Sequence, residues 1–394
     1  MAKKKSTRKK VSRKKPAPEP IEAIEHPIPI PMDRILDQKR PIAQLEAAMQ
    51  SDRLHHAWIF HGPKGVGKFT TALAFAALAL DDTTAPDLSG RLTCDPQSRV
   101  QALLRTGSHP DLHIITKELA RFSDKANIRS AKLVTIPKDV IETHLLHPST
   151  LAAKVSVDSM ASKVFIIDEA ELLDRSAGNA AVQNAMLKTL EEPPPGTLII
   201  LVTSSEERLL PTIRSRCQRV RFSPLCDRAM EDWLAQTSYD PDTIEWAKRF
   251  GVGSPGFVTE AIETGFISWY APVEEMLNRL LSGDFPLEMG SELASMVDSW
   301  ASARVEADKR ASKEAANQAG ADRMLSIIAD LLRDRLNRVA MHGDAVELDR
   351  IGVQIDTVGL ARSRIRSHVP MAMVFEALAA ELDRSSQPSM LSGE

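Results

Sequence analysis

The chain has 394 residues, 43% hydrophobic and 26% charged, with 50 Lys+Arg against 53 Asp+Glu. That is enough for a sizeable core divided over two or three domains. It excludes a disulfide scaffold, because Cys94, Cys217 and Cys226 form no paired framework, and no stretch approaches the ~20 apolar residues of a membrane span.

The longest apolar run, residues 72–80, suits a buried helix, and no apolar leader precedes it, so a protein of a reducing, cytoplasmic compartment is expected. The first fifteen residues carry nine Lys/Arg and no acid, which leaves the rest of the chain acidic. Such a polycation without aromatics reads either as a solvated extension or as a tether that adds phosphate contacts on DNA. Six prolines follow between Pro16 and Pro31 without any helical or strand period, so residues 1–31 are expected to lie outside the fold.

From about Met32 the pattern is helical through Leu45 and Met49. Ala57-Trp58-Ile59-Phe60 is then a short apolar run that stops at a glycine loop and passes into residues 70–80, giving strand, loop and helix. Further strands are expected at residues 111–116, 163–167, 198–203 and 218–222, with helices at 139–146 and 177–192. This alternation predicts an α/β domain over residues 32–226, a parallel sheet with helices on both faces. Pro193, Pro194 and Pro195, followed by Gly196, end the helix before the next strand. Beyond Pro224 the strand signals stop. Residues 227–267 read as a small helical lid punctuated by Gly251, Gly253 and Gly256, and residues 268–394 as an all-α C-terminal domain without a chemical motif.

Gly62-Pro-Lys-Gly65-Val-Gly67-Lys68 fits G-x-x-x-x-G-K after a strand and before a helix. Glycines let backbone N–H groups close around phosphate oxygens, and Lys68 and the helix N-terminus add positive charge. The next position, where a Ser or Thr hydroxyl would ligate Mg²⁺, is Phe69; Thr70 comes one place late, ~100° round the helix. Val164-Phe-Ile-Ile-Asp168-Glu169 supplies the second nucleotide motif, an Asp at a strand end for Mg²⁺ and a Glu to orient water. His55, His56 and His61 read as packing residues, and Cys217 as a small buried residue, since no histidine lies near it in sequence.

Four segments then fall in a recognisable order: Gly107-Ser-His-Pro-Asp-Leu112, the Asp168-Glu169 pair, Asn184-Ala-Met-Leu-Lys-Thr-Leu-Glu-Glu-Pro193, and Leu210-Pro-Thr-Ile-Arg-Ser-Arg-Cys217. In this the chain resembles the clamp-loader branch of the AAA+ ATPases, and within it the delta-prime subunits of bacterial DNA polymerase III, over roughly residues 32–226. The resemblance implies an AAA+ P-loop domain, a lid and a C-terminal collar that assembles with other subunits (delta, gamma/tau) to load a sliding clamp on primed DNA. It implies that Thr203 occupies a sensor position near the γ-phosphate and that Arg216 reaches ATP/Mg held by the neighbouring subunit.

Two departures stand out. Relatives carry a four-cysteine zinc module where this chain has Cys94 alone, so zinc is expected to be absent. Motor subunits place a lid arginine on their own nucleotide, and Gly253-Ser-Pro-Gly256-Phe257 has none. The expectation is an ATPase-silent subunit; an ATP-hydrolysing gamma/tau-like motor and a stand-alone AAA+ ATPase acting on nucleic acid are the alternatives.

Overall fold

The computed structural model describes residues 24, 26–51, 54–156, 158–173, 180–308, 311–341, 344–367 and 369–386. The basic stretch up to Lys15 and the last eight residues lie outside it, as does most of the proline-rich segment.

The chain enters through helix α1 (Lys39–Met49), strand β1 (Ala57–His61) and helix α2 (Lys68–Leu80), then a short hairpin of β2 (Ala85–Pro86) and β3 (Leu92–Thr93). Helix α3 (Arg99–Arg105) and strand β4 (Leu112–Ile115) follow. The helical turns α4 (Ala126–Arg129), α5 (Lys138–Ile141) and α6 (His147–Thr150) precede β5 (Lys163–Ile167). Helix α7 (Ala181–Glu191), β6 (Thr197–Thr203), α8 (Pro211–Arg214) and β7 (Gln218–Arg221) complete the first part. The five long strands form one parallel sheet in the order β4-β5-β6-β1-β7. This is the α/β architecture the alternation implied.

The strands read as unbroken apolar runs because both faces of the sheet are covered. Trp58, Phe60, Val164, Ile166 and Ile200 face α2, where Phe75 meets Trp58 and Phe60 at ring distances of 5.7 and 6.2 Å. Ile59, Phe165, Ile167, Ile199 and Leu201 face the other way onto Val182, Met186 and Leu190 of α7. The register pairs His61 with Thr203 and Ile167 with Leu201, so the carboxyl ends of β1, β5 and β6 finish together. Ligands of parallel sheets bind at that edge.

The helix expected at residues 139–146 is longer and irregular: α5 passes through a π-helical turn, Glu142–Leu146, directly into α6. Pro148 at the start of α6 has no N–H to return to the preceding turn, and a widened turn accommodates the missing bond.

Beyond β7 the chain is helical. Helices α9 (Asp227–Leu234), α10 (Pro241–Phe250) and α11 (Pro255–Glu263) lead to α12 (Tyr270–Leu281), α13 (Met289–Ala307), α14 (Lys313–Ala340), α15 (Ala345–Arg366) and α16 (Met371–Ser386). Met230, Leu234, Ala247 and Val258 join the apolar cluster of the sheet, while Phe250 and Ala261 join that of the C-terminal helices. The lid helices are thus packed between the two clusters.

Ion pairs follow the same route. Arg323 of α14 pairs with Glu260 of α11, which also takes Lys64 of the glycine loop at 3.3 Å. The Arg323 guanidinium lies 5.3 Å from the Phe266 ring and 5.4 Å from Trp300, a cation–π arrangement worth ~1 kcal/mol. Arg121 reaches Asp308, after α13, at 2.6 Å.

Candidate functional site

The glycine loop leaves β1 and enters α2 with Gly62, Gly65 and Gly67 all at positive φ. Gly62 at φ +142° lies against the end of β7, where a Cβ would come 2.3 Å from the Phe222 carbonyl oxygen. The loop's carbonyls are all engaged. Lys68 Nζ donates to the Gly62 and Pro63 oxygens, Ser254 Oγ to Lys64 O at 2.8 Å, and the Gly256 amide to Gly65 O at 2.9 Å. Gln38 Nε2 donates to Val66 O and Thr71 to Gly67 O. Gly67 caps α2 with no side chain. What the loop offers the cavity is therefore its N–H groups at a helix N-terminus, an arrangement suited to an anion.

That cavity has a volume of about 540 Å³ and brings together Gly65, Gly67, Lys68, Phe69, Thr70, Asp168, Glu169 and Thr203. Gly62 holds the loop from behind. Burial pushes the Lys68 ammonium down to about 8, against the opposing pull of Glu171 and Asp168. Burial, with Glu169 and Glu171 nearby, pushes the Asp168 carboxyl up to about 6, although its Oδ1 accepts from the Glu169 amide at 2.9 Å. Glu169 sits in the left-handed region at φ +48° and pairs with Lys117 Nζ at 2.6 Å. Burial alone would raise the Glu169 carboxyl, but Lys117 and Lys64 outweigh it and hold it below its ordinary value. Thr203 is buried, and its Oγ1 accepts from the Ser205 amide.

Magnesium demands oxygen ligands. Phe69 offers none and packs against the apolar cluster around α2, while Lys117 already neutralises Glu169. Asp168 and Glu171 are the cavity's other acids, and the position after Lys68 brings no oxygen to join them. Among the described residues no group of three or more His, Cys, Asp or Glu is arranged to hold a metal ion. Burial, with Asp81 and Asp95, pushes the Cys94 thiol up to about 11, and burial pushes Cys217 up to about 12; neither is a thiolate near neutrality.

The lid stretch 253–257, which lacks an arginine, touches the loop by backbone instead. Gly256 is required there because a Cβ would lie 2.6 Å from Gly65 Cα. Sequence reasoning missed this contact, along with Lys117, Glu171 and the segment from Ile30 to Leu36 that walls the cavity. Lys117 was findable as a cation just past the strand at 111–116; the lid contact had no signal beyond a glycine.

Arg216 does not line the cavity. It follows α8, where its Nη1 donates to Thr212 O at 2.9 Å and reaches Ser215 Oγ at 3.4 Å, and its Nη2 pairs with Glu191 at 2.6 Å. The side chain is 35% exposed.

Residues 37–226 match the family model described as DNA polymerase III, delta subunit. The chain is 32% identical over 228 residues to the DNA polymerase III subunit delta' of Bacillus subtilis, covering 57% of this chain and 58% of that protein. It is 29% identical over 233 residues to the DNA polymerase III subunit gamma/tau of Mycobacterium bovis, covering 58% of this chain and 36% of that protein. The chain thus spans less than two thirds of the length of these two relatives. A solved gamma subunit-related protein of Thermotoga maritima is 17% identical with a TM-score of 0.34, covering 89% of this chain and all of that one.

Proposed function

We propose, from the match of residues 37–226 to the DNA polymerase III delta-subunit family model, that the chain is a clamp-loader subunit of a replicative DNA polymerase, silent as an ATPase. In this reading it assembles with delta and gamma/tau subunits into a ring that loads the sliding clamp on primed DNA. It supplies Arg216 in trans to ATP/Mg held by a neighbour. The sliding clamp is an indirect partner, and no zinc is bound.

The observation that carries the silent reading is Phe69. A P-loop that keeps its glycines, Lys68 and the paired acids, but puts an aromatic ring where the metal's hydroxyl ligand belongs, can hold an anion without assembling the metal that phosphoryl transfer uses. The partner of Glu169 points the same way, since a carboxylate held by Lys117 at 2.6 Å is not free to orient water. Arg216 suits the trans role by its chemistry: a planar guanidinium fork can meet charge spreading over phosphoryl oxygens.

The motor reading has one observation in its favour, the intact glycine loop with all its carbonyls engaged beside the cavity. Steady-state ATP hydrolysis by the purified chain, with and without magnesium, separates the two. No turnover above background is expected. Magnesium-dependent turnover abolished by Lys68→Ala would sink the silent reading in favour of the motor.

A further inference from the structure

We infer that Glu191 is the positioning residue for Arg216, fixing its guanidinium in place for a neighbouring subunit's nucleotide before that subunit docks. This deepens the trans-arginine reading above and rests on it.

Glu191 is the last residue of α7, and Glu192 caps the helix before three prolines. An acid in a helix's last turn faces the negative end of the macrodipole, so local propensity disfavours Glu191 where it stands. What answers its charge is Arg216, 2.6 Å away and 25 residues on in the chain. The Thr212 carbonyl holds Nη1 from the other side at 2.9 Å, so the guanidinium is gripped between α7 and α8.

The grip is partial. A guanidinium has five N–H donors; three reach Thr212, Ser215 and Glu191, and the Nε–H and one Nη2–H take no partner among the described residues. The fork is thus fixed in direction but keeps donors for an incoming anion. A misplacement of ~1 Å can cost on the order of 10²-fold at a reacting centre, so fixing that direction matters for a group that must meet phosphoryl oxygens across an interface.

The test uses the full chain reconstituted with its partner ATPase subunits, reading DNA- and clamp-stimulated ATP hydrolysis after assembly has been checked by gel filtration. Glu191→Ala should lower turnover severalfold, less than Arg216→Ala does. Glu191→Asp should restore part of the loss. Glu191→Ala should cost nothing further in an Arg216→Ala background, a non-additivity that a merely structural role does not produce. Should Glu191→Ala fail to assemble, the isosteric Glu191→Gln decides by the same comparison.

Impaired Arg216→Ala with wild-type turnover of the Glu191 variants overturns the positioning role and leaves the trans arginine standing. Additive losses, or a gain of turnover on removing Glu191, also overturn it. Wild-type turnover of an assembled Arg216→Ala complex overturns the trans arginine and the positioning role together.

Discussion

In the cavity beside the glycine loop Lys68, Glu169 and Glu171 have partners within the chain, whereas Arg216 is held through part of its donor set. Lys68 is buried on two carbonyls, Glu169 is paired with Lys117, and Glu171 with Ser204. Arg216 is 35% exposed with two donors open. The first is held by contacts within the chain, and the second keeps donors open. In the proposed reading, this pairing of a satisfied glycine loop with an arginine that keeps open donors is what would let the chain serve a neighbour's site rather than its own.

The largest effect that would break this comparison is at Arg216. In an assembled complex Arg216→Ala should cut the neighbour's stimulated ATP hydrolysis; trans arginines are worth on the order of 10³ to 10⁵ at a single site in GTPases, and bulk turnover should fall by less because the ring has other sites. Arg216→Lys should rescue poorly, since a point ammonium lacks the planar fork. Wild-type rates in the alanine variant would leave this turn with no outward role.

On the cavity side the strongest effect should be on stability. Gly62→Ala combines a positive φ with a Cβ 2.3 Å from a backbone oxygen, and none of the three atoms it would meet is a flexible side-chain tip. A loss of about 3 kcal/mol in urea denaturation is expected. A variant as stable as the parent would mean that the loop is not packed against the end of β7 as described.

Asp168→Asn should stabilise the protein at pH 7. The folded state favours the neutral carboxyl, whose titration point is pushed from 3.8 up to about 6, so the ionised form carries a penalty that is full above pH ~6. As pH falls from 6 to about 4 the folded state binds the proton before the unfolded chain does, and the parent gains stability until the penalty is gone. The displacement bounds the effect at about 3 kcal/mol, and screening by the open cavity brings the expectation to about 1–2 kcal/mol. The advantage of the asparagine variant should therefore vanish near pH 4. A pH-independent advantage, or none at pH 7, contradicts a strained carboxylate in this cavity.

The smallest effect is expected from deleting residues 1–15. The segment has almost nothing apolar to bury, so Tm and assembly should be unchanged, while a DNA contact by its lysines would be read as a flatter salt dependence of DNA binding. Loss of assembly would contradict both the solvated-extension and the tether readings.

Much of the fold was legible because the sheet is parallel and buried. The run Lys163-Val-Phe-Ile-Ile167 reads as a strand from four consecutive apolar residues and is β5 to the residue. The helix around residues 139–146 was legible as a helix but not as a π-helical one, because hydrophobic period reports a buried face and not which carbonyl each amide reaches. The hairpin β2–β3 and helix α3 lie in a polar stretch whose two-residue strands leave no alternation to read. The phosphate loop, the two acids and the serine-arginine-cysteine triplet are contiguous in sequence and were visible for that reason.

What the sequence by itself determined is the set of groups: glycines that permit positive φ, a lysine, two carboxylates at a strand end, and a phenylalanine in place of a hydroxyl. What only the tertiary structure decided is which groups answer one another. Lys117 meets Glu169 across 52 residues, Ser254 and Gly256 grip the loop from the lid, and Glu191 meets Arg216 from a helix that ends before β6 begins. Charge interactions fall off with distance in space, and distance along the chain carries no record of it.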